Sequence, residues 1–158
     1  MKTLLSIIII SLAGIPAFAQ PIKPKVHNPI YAQKLVDEFN AKYVDLISVG
    51  IHAKPKGAAN YMIVAHTLGI KVGDASTPTD MDTMRTGQPD GPGALEGSIY
   101  DVALPLLDAS GKTIGVVAQH VKPHNGDPKA EALRLAYKYR DELAKLIPSE
   151  EKLFEPAE

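Results

Sequence analysis

The chain has 158 residues, no cysteine and a formal charge of −1, which excludes a disulfide framework and leaves no basic excess for neutralising a phosphate backbone. Nucleic acid is therefore not an expected partner. With 45% apolar residues the chain can bury one core of ordinary domain size.

Lys2 ahead of the apolar run Leu4–Ile15, followed by Ala17-Phe18-Ala19, reads as an export signal cleaved after Ala19. That run is shorter than the roughly 18 apolar residues of a membrane span, and no later segment approaches that length. Residues 1–19 are thus expected to be removed, leaving a soluble periplasmic or secreted protein. Residues 20–29 carry three prolines and alternating lysines, an extended lead-in.

From there Tyr31, Leu35, Phe39, Tyr43 and Leu46 recur at helical spacing, so the pattern predicts an amphipathic helix from Pro29 to about Leu46, with Asn28 as its cap. Ile47, Val49, Ile51 and Ala53 then alternate with Ser48, Gly50 and His52, a strand ending at the turn Lys54-Pro55-Lys56-Gly57. Tyr61 to Thr67 is its expected partner. The segment Leu68–Gly97 is rich in Gly, Pro, Asp and Thr. Within it Thr77-Pro78-Thr79-Asp80 is a helix start and Gly87 a helix stop, and Gln88–Gly97 reads as a loop or an irregular edge strand.

The stretch Tyr100–Lys122, YDVALPLLDASGKTIGVVAQHVK, is a hairpin. Val102, Leu104 and Leu106 alternate in its first run, Ile114, Val116 and Ala118 in its second, and Asp108 with Gly111 supplies the turn. A last helix starts at the cap Asp127, carries Leu133, Ala136, Leu143 and Ile147 on one face, and stops at Pro148. Residues 148–158 read as a frayed acidic tail. Tight turns between strands argue for an α+β fold: one domain, 30–147, with a central antiparallel sheet of about five strands and helices at both ends.

The hairpin, preceded by a helix, a strand pair and a helix-bearing loop, resembles that of extracytoplasmic PAS-like sensor domains of the Cache group. The resemblance covers roughly Ile30 to Ile147, and the hairpin is its specific part. It implies a small ligand such as a carboxylate or an amino acid, or in some members haem or a metal, held on the concave sheet face under the helix-bearing loop. Members of that group commonly sit between two membrane spans and drive an output module. This sequence shows neither a second span nor an output module, so ligand capture or delivery, or presentation to an envelope sensor protein, is the role expected.

Five residues are singled out for the ligand: Tyr61, His66, Arg85, Tyr100 and His120. Strand alternation places His66 with Met62 and Val64, and His120 with Ile114, Val116 and Ala118. An inward histidine can bond a carboxylate, a metal or haem iron. Arg85 can grip a carboxylate with two prongs. Tyr61 and Tyr100 stand at strand starts, where a ring can line a pocket. His120 and His124 are four apart but lie at a strand end followed by Pro123, not on a helix, which is weak support for zinc. Without cysteine, G-x-S-x-G or H-E-x-x-H, no enzyme is expected. Two other functions stay open from the residues alone: a histidine-based haem or metal protein, and a protein-interaction module without a pocket.

Overall fold

A computed structural model describes residues 29–69 and 71–157; the expected export signal and nearly all of the expected lead-in lie outside the described residues. The chain forms α1 (Tyr31–Lys42), β1 (Leu46–Ala53), β2 (Met62–His66), α2 (Pro78–Thr86), β3 (Asp90–Ala94), β4 (Tyr100–Leu107), β5 (Thr113–Val121) and α3 (Pro128–Ala144). The strands make one sheet in the order β2-β1-β5-β4-β3, and every neighbouring pair is antiparallel. This is an α+β, PAS-like arrangement. Among the described residues no helix is long and apolar enough to cross a membrane.

The two faces of the sheet differ in chemistry. Val49, Ile51, Val102, Leu104, Val117 and Val121 pack with Val36 and Phe39 of α1 and Leu135, Tyr139 and Leu143 of α3 in one apolar core. Gln119, also on that face, donates from its amide to the carbonyl of Ala136 on α3. Over the opposite face stand α2 and the loop before it. Local chemistry explains why α2 forms there: Thr77 and Asp80 make a reciprocal capping box, Pro78 occupies the first turn, and Gly87 ends the helix at a φ of 72°.

The central hairpin closes as its turn residues require. The Asp108 carboxylate accepts from the Ser110 and Lys112 backbone amides and from the Ser110 hydroxyl, while Gly111 takes a φ of 86°. The segment Gln88–Gly97 contains a real edge strand, β3, with a register shift between Asp90 and Gly93.

Three expectations need correction. First, α1 starts at Tyr31 behind an extended Ile30 that makes no side-chain cap, and it ends at Lys42. Second, residues 148–157 are not a frayed tail. Leu153 is fully buried, the Pro29 carbonyl accepts from Ala157 N–H, and Tyr31 N–H donates to the Glu155 carbonyl. The acidic composition hid one apolar anchor, and the backbone of residues 29–31 that would have met a helix cap bonds this segment instead. Third, α3 ends at Ala144, although Ile147 stays fully buried and its carbonyl accepts from Ala109 N–H beside the hairpin turn.

Candidate functional site

Register, more than any single element, builds the cleft on the outer sheet face. His66, Gly50, Ala118 and Ala103 stand in one row across β2, β1, β5 and β4, and Asp90 of β3 continues it. One step along, Ser48, His120 and Asp101 form a second row. On the other side, Ile63, His52, Val116 and Pro105 form a third. The middle row is therefore a floor of small residues between polar ends. Gly50 is required there, because a Cβ at that position would lie 2.9 Å from the His66 ring. Above the floor stand Lys71, Asp74, Thr77, Thr79 and Asp80, and the volume of the open cleft is about 360 Å³.

Two bulges decide which side chains face the cleft. The shift between Ile51 and His52 puts Ile63 beside His66 on the cleft face, whereas Met62 and Val64 pack with the core, contrary to simple alternation. The shift between Leu106 and Leu107 likewise turns Ile114 into the core, away from Ala118 and His120.

His52 is the best-buried ionisable side chain of the cleft, with 7% of its surface exposed. Its Nδ1 lies 3.1 Å from the Ser76 hydroxyl and 3.4 Å from the Asp80 carboxylate. Because both partners use the same ring nitrogen, this trio cannot pass a proton from Ser76 through the ring to Asp80, as a nucleophile relay needs opposite nitrogens. The Nδ1 of His66 accepts from Leu68 N–H, which puts a neutral ring's proton on Nε2. At the rim the His120 Nε2 is 3.6 Å from Asp101.

Burial lowers the pKa of His52, against the pull of Asp80; burial, then Lys71, His120 and His52, lower that of His66. Crowding by protein raises Asp101, opposed by His120 and aided by Asp90. The sign for His52 follows. Below its ordinary value of 6.5 the unfolded chain takes up a proton that the folded chain resists, so stability is lost as pH falls through the depressed folded value. His66 acts in the same direction, and Asp101, raised from 3.8, acts oppositely. Urea unfolding at pH 7.5 and 5.5 is expected to show lower stability at pH 5.5. His52→Asn should flatten the dependence by up to one linked proton, and an unaltered slope would reject this role for His52.

Of the residues singled out from sequence, the structure brings His66 and His120 into the cleft. Arg85 is exposed and pairs with Asp82 on its own helix at 2.9 Å. Tyr100 borders a separate hollow of about 180 Å³ with Ser98 and His124. Tyr61 is half-buried ahead of β2, and its carbonyl accepts from Ser76 N–H. His52, Asp80 and Asp101 also line the cleft, outside the five residues chosen for the ligand. For His52 the signal was present, since Ser48, Gly50 and His52 share one phase of the β1 alternation. Among the described residues no three His, Asp or Glu side chains form a set that could hold a metal.

Two other hollows lie outside this cleft. One, of about 320 Å³ beside Tyr43 and Tyr139, is bordered by the pairs Lys42 with Glu142, Arg134 with Glu131 and His124 with Asp45. The other, of about 650 Å³, is a trough between Lys54 and Lys56 of the β1–β2 turn and the C-terminal segment around Phe154.

No protein-family model and no curated protein matches the chain. Among solved structures, the double mutant of the inducer-binding domain of the PobR transcription factor from Acinetobacter, in complex with 3-hydroxybenzoic acid, is similar at 16% identity. The similarity covers 77% of this chain and 100% of that one, with a TM-score of 0.40. At that level of likeness, fold and site rest on the geometry of this chain.

Proposed function

We propose that this chain binds a small polar molecule between the outer sheet face and α2, and that it captures its ligand without transforming it. One observation carries the reading: one sheet face is filled by core side chains, whereas the other has the floor Gly50, Ala118 and Ala103 beneath a polar hollow of 360 Å³. That volume is within the usual range for small-molecule sites, roughly 300–1,000 Å³, and a pure interaction module has no use for it.

The Cache-like role, export by the N-terminal signal and delivery to an envelope sensor protein belong to the same proposal, supported by the sequence signals described above. A carboxylate on the ligand would find two donors in the cleft, Lys71 and the Nε2–H of His66. The test is thermal unfolding against a panel of small carboxylates, amino acids, amines and sugars. A compound at 100 times its Kd is expected to add about 2.7 kcal/mol to stability. A panel without a single shift rejects the proposal.

A further inference from the structure

We infer that the ligand held in this cleft carries a protonated amine, seated between the rim aspartates and the buried His52. The inference rests on the cleft being the ligand site and goes further by fixing the charge of what enters. Asp74, Asp80, Asp90 and Asp101 line the cleft against one lysine, Lys71. Arg85, which could have offset them, is turned to Asp82 outside.

These carboxylates are not equally engaged. Asp80 accepts from the Thr77 amide and hydroxyl and is committed to the cap of α2. The Asp90 side chain has no hydrogen-bond partner among the described residues, and Asp101 stands 3.6 Å from His120, beyond a good hydrogen bond. Two acceptors at the rim are therefore available to a donor from outside.

His52 gives an independent indication of the same kind. It is more than nine-tenths buried and lines the cleft. The neighbouring Asp80 carboxylate favours the ring proton on Nδ1, where Ser76 also lies. Nε2 then presents a lone pair, and no protein donor among the described residues meets it. An acceptor at the cleft wall with no protein partner is one that a ligand N–H can satisfy. A carboxylate oxygen at the same place would meet a lone pair and nearby negative charge. Burial keeps His52 and His66 uncharged near neutral pH, so they do not balance the aspartates, and Asp90 and Asp80 each disfavour ionisation of Asp101. A cation at the rim relieves that repulsion.

The test compares three probes of matched length, butane-1,4-diamine, succinate and butane-1,4-diol, by thermal unfolding and calorimetric titration of the full chain at pH 7.5. The diamine is expected to raise the melting temperature and to bind at least tenfold more tightly than the other two. Asp90→Asn with Asp101→Asn should weaken it at least tenfold while leaving the unliganded protein no less stable, which also shows that the variant folds. Preferential binding of succinate or the diol overturns the amine assignment and leaves the cleft a ligand site. A diamine effect that survives the double substitution places the amine elsewhere and overturns it too. No binding by any probe counts against both the amine and the cleft.

Discussion

Ala118→Leu is expected to abolish ligand binding while changing stability by no more than about 1 kcal/mol, whereas Leu104→Ala should cost about 2–5 kcal/mol and leave affinity in the surviving folded protein unchanged. The two positions are on adjacent strands: Ala118 pairs with Ala103, and Leu104 pairs with Val117. They face opposite ways. Leu104 is fully buried in the core, and its truncation leaves a void that the packed α3 cannot fill. Ala118 lies on the cleft floor, where three additional carbons enter open space and occupy the volume a ligand needs. Urea unfolding and titration of both variants with any compound found to bind separate the two effects. Retained binding in Ala118→Leu, at a normal melting temperature, would move the site away from this cleft.

Much of the architecture is legible in the residues because each element carries its own local instruction. Asp108 and Gly111 specify the hairpin, Thr77-Pro78-Thr79-Asp80 and Gly87 bound α2, and Asp127 caps α3 through the Lys129 and Ala130 amides. The cleft is less legible because its members come from rows across the sheet. Nothing in the sequence near His52 announces that Ser76 and Asp80, 24 and 28 positions on, will stand over it. Bulges add a second obstacle: alternation groups His66 with Val64, and one extra residue in β2 exchanges Val64 for Ile63. Arg85 illustrates the converse. It is the sole arginine ahead of α3, which suggests a ligand contact, but an acid three residues earlier on the same helix face is a nearer partner.

The largest loss from a single added methyl is expected at Gly115. There a Cβ would run into the carbonyl of His52 on the adjacent strand, with the rest of the His52 and Ala53 backbone close behind. Backbone in the middle of a sheet cannot turn aside as a flexible side chain does, so Gly115→Ala must push β1 and β5 apart where their register pairs His52 with Val116. Overpacking of this kind costs typically 1–3 kcal/mol and at times more, and the upper part of that range is expected here. The displacement also acts on the site, because moving the His52 backbone shifts its ring relative to Ser76 and Asp80 and so disturbs the acceptor offered to a ligand. Gly111→Ala is the internal reference. It introduces strain at a φ of 86° but meets nothing within 4 Å, so its cost should be confined to roughly 1–2 kcal/mol of left-handed backbone, with ligand binding intact. Urea unfolding of the two variants, with ligand titration of each, gives the comparison. If Gly115→Ala is the milder of the two, or binds ligand as the parent does, then the close approach of β5 to His52 does not position the cleft.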